Sequence, residues 1–354
     1  MKKYTIAQAG CGDRGKIHIK GFKENSDRFE MVGLCDLNET TLRSAAEKYG
    51  IKAPLYTDAG KMLKETKPDV FCFVTPPNIR KSMIELGVKH QVKGIVFEKP
   101  MATSLNEAKY ITDLCNKNKI KAVVCHQHKY LESMKKLKSI VDVGDIGEVS
   151  MIHVNTQAWV SQLGTHYMDY ALWINGMKKA KWVVGHINGR TGLTDNHPSP
   201  DFSNGTVLLE NGVRVYFECG YLSQQNLTTK EFWFDDRLAV YGTHGYAWAE
   251  CNGAWAVFTR SSGGELIEGQ EEDFLASEIK MQVAYLKEYA DWLDDDKKIH
   301  PNNIDISYHG FEILEGMFLS ALDYTRIDFP ITDFSSEDSI ERMLRVLPEV
   351  KAYL

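Results

Sequence analysis

Between residues 4 and 125, five short apolar runs, YTIAQA, FEMVGLCD, VFCFVT, GIVFE and AVVCH, alternate with segments of helical pattern at 38–49, 79–90 and 104–118. The runs are close to continuously apolar instead of apolar at every second position. A strand of that kind needs cover on both faces, which it finds inside a parallel sheet flanked by helices on each side. The β-α-β rhythm therefore predicts an α/β fold beginning with a doubly wound, Rossmann-type parallel sheet over residues 1–125. A chain of 354 residues has room for a second domain, 126–354.

The pattern changes near residue 147. EVSMIHVNTQAW, KWVVGHINGR, GTVLLENGVRVYFECG and KEFWFDDRLAVYG alternate with period two and are punctuated by ENG and GTHG turns. That is the mark of a large, open, mixed or antiparallel sheet with one face exposed. Two long helical segments follow near 275–294 and 306–324, so the second domain is expected to be α+β. TGLTDNHPSPDFSNG, 191–205, reads as a mobile loop.

Composition excludes several classes. Apolar residues make up 43 % and charged residues 25 %, and the net charge is −6. No Lys/Arg cluster reads as a stripe that follows phosphates, so nucleic acid is not an expected partner. The start, MKKYTIAQAG, has no apolar leader core, and the apolar runs are too short to span a bilayer. Seven scattered cysteines without a C-x-x-C point to a reducing, cytoplasmic setting and to no disulfide framework.

The first motif with chemistry is GCGDRG, 10–15, between the first strand and the first helix. Gly10 permits the tight turn, Gly12 lets backbone approach a pyrophosphate, and Gly15 lets helix and strand pack closely; Asp13 and Arg14 belong to the same loop. Asp36 ends the second strand about 20 residues on, where a carboxylate accepts from ribose hydroxyls and repels a 2′-phosphate. The expected cofactor is NAD. TPPN, 75–78, ends another strand, where Thr75 and Asn78 either touch the cofactor or only turn the chain. EKP, 98–100, ends the next. Glu98 there needs a partner and, with Asp13 and Arg14 of the glycine loop, is expected among the cofactor-binding residues. Lys99 is either an ordinary turn lysine or a donor that stabilises an alkoxide as hydride leaves.

SQLGTHYMDYALW, 161–173, reads as the start of a helix, with Gln162, His166, Asp169 and Trp173 on one polar stripe beside a buried stripe of Leu163, Tyr167, Tyr170 and Ile174. Asp169 either orients His166 or stays solvated. Trp159 either stacks on a sugar ring or belongs to the sheet core. His126 and His128 are two apart, but no third ligand has a zinc-like spacing, so no metal is expected.

GCGDRG, EKP and GTHYMDYALWING, together with VDVGDIGEV at 141–149, fall in the order and spacing of the glucose–fructose oxidoreductase/inositol dehydrogenase (Gfo/Idh/MocA) family, which the chain resembles over nearly its whole length. The resemblance implies a Rossmann domain plus an α/β domain whose open sheet often forms homo-oligomer contacts. It also implies NAD(P)-dependent redox chemistry on sugars, cyclitols or related polyols. By the motif, Lys99 takes the place of the family's catalytic lysine and His166 that of its catalytic histidine. Lys129 and Tyr130 fall where relatives carry substrate-contacting residues. One departure stands out: Gln162 occupies the position of a common aspartate one turn before the histidine. An amide orients a hydroxyl but is no base. His166 is then the sole base of an NAD-dependent oxidoreductase acting on a secondary hydroxyl of a sugar, glycoside or cyclitol. Two alternatives remain open: a glycoside-processing enzyme that recycles tightly held NAD, and a non-catalytic NAD- or sugar-binding regulator.

Overall fold

The computed structural model describes residues 2–226, 229, 234–333 and 337–350. Six strands, β1 (Tyr4–Ala9), β2 (Phe29–Cys35), β3 (Leu55–Tyr56), β4 (Val70–Phe73), β5 (Gly94–Glu98) and β6 (Lys121–Cys125), form one sheet in the order β3-β2-β1-β4-β5-β6. Every pairing is parallel. Helices α1 (Asp13–Glu24), α2 (Glu39–Tyr49), α3 (Ala59–Thr66), α4 (Arg80–Lys89) and α5 (Leu105–Lys117) make the crossovers. This is the Rossmann arrangement that the apolar runs predict. Local signals set the boundaries: α2 starts on Asn38, whose side chain accepts from Thr41 N, and stops at Gly50 in a left-handed conformation. The two-residue β3 has no apolar run and escapes sequence reading. Strand order reverses between β1 and β4, so a crevice for ligands opens beyond their carboxyl ends.

The second sheet has nine strands: β7 (Val149–Thr156), β8 (Ala180–Asn188), β9 (Phe202–Leu209), β10 (Arg214–Gly220), β11 (Asp236–Gly242), β12 (Gly245–Ala249), β13 (Ala254–Thr259), β14 (Leu266–Gln270) and β15 (Ile327–Asp328). The order is β14-β13-β12-β11-β7-β10-β9-β8-β15. Only β7 and β10 pair in parallel, so the sheet is mixed as expected. Residues 230–233 of the run KEFWFDDRLAVYG lie outside the described residues. Helices α6 (Glu132–Asp142), α7 (Thr165–Ile174), α8 (Phe274–Asp294), α9 (Ile304–Asp323) and α10 (Ser339–Val346) complete the chain. Gly185 and Gly205 let Met317 of α9 lie close against β8 and β9. The alternate positions on the other side carry half-buried rings: Tyr241 and Tyr246 are 5.8 Å apart, Tyr246 stacks on Phe258 at 5.5 Å, and Arg237 lies 4.0 Å over Trp248.

Two compact units result. Met1–Ala102, Glu107–Tyr130 and Glu278–Tyr308 form the first; Thr103–Asn106, Leu131–Ser277 and His309–Leu354 form the second. A single cut after residue 125 therefore leaves most of α8 on the wrong side. Tyr285, Leu286, Tyr289 and Ala290 share a core with Tyr4, Ile6, Val70, Val96 and Val123. Gly21 makes this possible, since a Cβ there would lie 2.7 Å from Gln282 and 3.0 Å from Leu286. Arg28, buried, reaches Asp291 and Asp294 at 2.6 Å each. Helical periodicity reveals that a helix has an apolar face but not which sheet that face meets.

The segment 191–205, expected to be a mobile loop, is cross-braced. Buried Asp201 accepts from Thr191 N (2.9 Å) and Gly192 N (2.8 Å), and residues 202–205 are already strand β9. All seven cysteines are buried and unbridged. Among the described residues no helix is long and apolar enough to cross a membrane.

Candidate functional site

The glycine loop of the first unit divides its roles as the spacing predicts. Gly10 has φ +90°, and a Cβ there would lie 2.1 Å from Val74 O. A Cβ on Gly15 would lie 2.3 Å from Gly10 O. Both positions exclude any side chain. A Cβ on Gly12, by contrast, would meet nothing within 4 Å, and Gly12 caps α1 without a side-chain hydrogen bond. The backbone at Gly12 thus borders open space at the N-terminus of α1, where a helix start can receive a pyrophosphate. Asp36 accepts from Cys11 N (2.7 Å) and Asn38 N (2.9 Å), which fixes its carboxylate beside the loop with lone pairs left for ribose hydroxyls. These residues fit a dinucleotide. The side chain of Asp13 is in solvent, paired with Lys16 at 2.9 Å, so only its backbone serves the loop.

Arg14 and Glu98, both expected to face the cofactor, face each other. Arg14 Nε donates to Glu98 Oε1 at 2.7 Å, and His18 Nε2 lies 2.8 Å from the same oxygen. Arg14 also reaches Glu278 (2.9 Å) and Gln282 (3.3 Å). Burial opposes ionisation of Glu98, but the adjacent guanidinium and the His18 hydrogen bond hold its carboxyl well below the usual range. The guanidinium is thereby taken up by carboxylates, which leaves the Arg14 amide for a ligand. His18, Glu98 and Cys125 lie close enough together to suggest a metal trio. Arg14 stands 3.6 Å from Cys125 Sγ as well as on Glu98, so a fixed cation already fills the role a metal would take.

Lys99 is half-buried, not a surface turn residue. Burial pushes its ammonium down to about 8, with Arg14 and Arg80 adding to the effect and Glu98 opposing it. Thr75 accepts from Arg80 through its carbonyl (2.8 Å) and its hydroxyl (3.5 Å); Asn78 is exposed in a short turn, Pro77–Ile79. Arg80, which sequence reading passed over, is 1 % exposed and also binds the carbonyls of Lys99 and Pro100. The available signal was an arginine opening a helix directly after a strand-end turn.

The HQHKY turn points inward. Lys129 Nζ donates to Pro301 O at 2.8 Å, and Tyr130 OH donates to Glu288 at 2.5 Å. These partners come from the α8–α9 region, so both side chains, expected to contact substrate, are also tied to the interior of the unit. His126 is buried, and burial together with Arg14 and Lys99 pushes His128 down to about 3.

In the second unit the stretch 161–173 does not start as a regular helix. Trp159 O accepts from Gln162 N (3.0 Å), Leu163 N (3.0 Å) and Gly164 N (3.3 Å), giving a wide turn over Val160–Gly164 before α7. The Gln162 side chain closes that turn by accepting from Trp159 N at 3.2 Å. The two-stripe expectation also gives way, because Thr165 through Leu172 are all buried. His166 is 2 % exposed with Nδ1 2.8 Å from Tyr170 OH. Asp169 is 0 % exposed, so it does not stay solvated. Tyr167 meets Cys251 Sγ at 3.4 Å, and Cys251 N donates to Asp236, whose buried carboxyl is pushed up to about 7. Trp159 is half-buried, and a Cβ on Gly192 would touch its ring at 3.3 Å. Ser161 Oγ donates to His197 O at 2.7 Å. The braced segment that follows residue 190 therefore packs around the Gln162 turn.

Residues 4–126 match the family described as "Oxidoreductase family, NAD-binding Rossmann fold" (Gfo/Idh/MocA). The chain is 25 % identical over 245 residues to a D-apiose dehydrogenase of Paraburkholderia graminis, covering 64 % of this chain and 62 % of that protein. It is 25 % identical over 145 residues to an inositol 2-dehydrogenase of Salmonella typhimurium, covering 41 % and 43 %. In both cases the match spans less than two thirds of the relative. An oxidoreductase from Agrobacterium radiobacter, solved in complex with NAD+, L-tartaric acid and magnesium, shares the fold with a TM-score of 0.78 at 17 % identity, covering 92 % of this chain and 98 % of that one.

Proposed function

We propose, from the premise that this chain belongs through its NAD-binding domain to the Gfo/Idh/MocA oxidoreductases, that it oxidises or reduces a secondary hydroxyl of a sugar, glycoside or cyclitol. The observation that carries this reading is the placement of Lys99, its ammonium lowered by burial, at the carboxyl end of β5, two strands over from the open glycine loop that follows β1 at the switch point of the sheet. NAD, when bound, supplies the hydride acceptor. Lys99 donates to the substrate oxygen and stabilises the charge that grows there. His166 takes the hydroxyl proton. Nδ1 lies 2.8 Å from Tyr170 OH, and the tautomer that donates from Nδ1 to this hydroxyl is the one that carries its lone pair on Nε2, as a base requires. Gln162 holds a neighbouring hydroxyl through its amide.

Support for the substrate class comes from the apiose and inositol dehydrogenases among the relatives. We also assign the aromatic side of the second sheet to self-association and, from the buried free thiols, place the protein in the cytoplasm. The test is a screen of free sugars, glycosides and cyclitols with purified protein, following NADH by absorbance and bound nucleotide by mass spectrometry. Net NADH with a polyol supports the reading. Product formation without net NADH favours internal recycling, and nucleotide binding without turnover on any compound favours a regulator.

A further inference from the structure

Arg80 opens α4 and is buried to 1 % exposure, with its guanidinium 6.0 Å from the Phe73 ring and 5.9 Å from the Phe97 ring. Its fork donates to three carbonyls: Nη1 to Thr75 O at 2.8 Å, Nη2 to Lys99 O at 3.2 Å and Nε to Pro100 O at 3.1 Å. Those carbonyls belong to two different loops, the ones that leave β4 and β5 at their carboxyl ends. Carbonyls just past a strand have no ladder partner and need one. A guanidinium is the side chain that serves three at once with fixed geometry; a lysine offers a single point charge. A buried cation bound chiefly to neutral carbonyls is costly, and burial pushes Arg80 down to about 10.

The neighbouring residue is held as firmly. Glu98 is locked by Arg14 and His18, so Glu98, Lys99 and Pro100 are each anchored, the first by its side chain and the next two by their carbonyls. The only long side chain in this stretch that departs from an anchored backbone is that of Lys99.

We propose that Arg80 is a positioning residue for Lys99: its fork fixes the peptide from which the ammonium projects and sets the separation of the Thr75 and Lys99 loops. The proposal rests on the reading of Lys99 as the group that meets the substrate oxygen. Arg80 also acts through its charge. Charges that act on the ammonium include Glu98 and Cys125, which favour its protonation, and Arg14 and Arg80, which oppose it; His128, held neutral by burial, also interacts with it. Removing Arg80's charge therefore raises the pH at which Lys99 deprotonates.

Two variants separate geometry from charge. Arg80→Lys keeps the charge and loses the fork; Arg80→Gln loses both. The pH midpoint of Lys99 is read on cofactor-free protein by competitive acetylation with acetic anhydride and peptide mass spectrometry. NAD affinity is read by calorimetry and turnover on whichever polyol the screen yields. We expect the midpoint to rise in Arg80→Gln and to stay in place in Arg80→Lys. Both variants should lose kcat by roughly tenfold to a hundredfold, the scale of a small misplacement of a reacting group, with KM and NAD affinity close to wild type. Added guanidinium should restore part of kcat to Arg80→Ala and none to Lys99→Met. Wild-type kcat in Arg80→Lys, an unmoved midpoint in Arg80→Gln, or a parallel fall of NAD affinity, melting temperature and kcat in both would overturn the proposal and leave Arg80 a structural staple. Full turnover in Lys99→Met would instead remove the reading of Lys99 as the group that meets the substrate oxygen, while the acetylation midpoints continue to report whether Arg80 positions that ammonium.

Discussion

The candidate groups of the two units are held by different kinds of force. In the first unit they are ions: Glu98 sits between Arg14 and His18, Arg80 is clamped on three carbonyls, and Lys99 lies among them. In the second they are neutral: His166 pairs with a tyrosine hydroxyl, and Gln162 pairs with a backbone amide. The strand-end ions are each held by several partners, Glu98 by two side chains and Arg80 by three carbonyls. The neutral pairs carry no net charge to desolvate, so replacing one by another neutral pair of the same shape costs little, provided no buried group is left unsatisfied. On the proposed function, the ion-held groups around Lys99 would form the fixed frame and the α7 groups would be where substrate preference is adjusted.

That division is broken or sharpened by measurement. The largest effect belongs to Lys99→Met, which should cut turnover by roughly two to three orders of magnitude, the loss typical of removing one oxyanion donor, while NAD affinity holds. A fall in NAD affinity of the same size would mean that Lys99 serves the frame and not the reaction. On the neutral side, His166→Asn should remove most proton transfer and lower kcat, whereas Gln162→Ala should chiefly raise KM. Gln162→Asp should remain active but move the acid limb of the kcat/KM profile to higher pH, since a carboxylate one turn away favours imidazolium. Activity confined to Gln162→Asp would show that the amide has disabled the site.

A smaller effect is expected at Asp36. Asp36→Ala removes the charge that repels a 2′-phosphate, so NAD should weaken by about 1.5–3 kcal/mol, the range for hydrogen bonds to a charged group, and the gap to NADP should narrow. Direct titration of both nucleotides reads this, and a wild-type preference for NADP contradicts the assignment. The smallest effect concerns stability. Burial pushes Asp236 up to about 7 and Glu315, which accepts from Ser339, up to about 8. A carboxyl raised in the folded state stabilises most below its unfolded pKa, and that contribution is lost as pH rises through the folded value. Melting temperature should therefore fall from mildly acidic pH toward pH 8. Asp236→Asn and Glu315→Gln should each flatten the fall by about a few degrees. An unchanged slope in both variants would show that neither carboxyl is protonated in the folded chain.

The sequence by itself determined the parallel sheet, the glycine loop and Asp36, because each depends on local rules. Apolar runs report two-sided burial, a Cβ is intolerable at Gly10 and Gly15, and a carboxylate at a strand end stays near the loop it follows. Lys99 and His166 were legible as candidates only through the resemblance of EKP and GTHYMDYALWING to the family's motifs, since local rules left each with a structural alternative. What only the tertiary structure decided is which polar side chains point inward. Lys129 and Tyr130 look like ligand contacts until Pro301 and Glu288, more than 150 positions away, take them. Arg14 looks like a cofactor contact until Glu98 and Glu278 claim its side chain, and Asp169, left between orienting His166 and staying solvated, is enclosed because Thr165 through Leu172 are all buried. Arg80 shows the reverse, an unremarked arginine that joins two loops. A buried charge is tolerable only where partners converge on it, and that convergence is a property of the folded chain, set by contacts that no local pattern encodes.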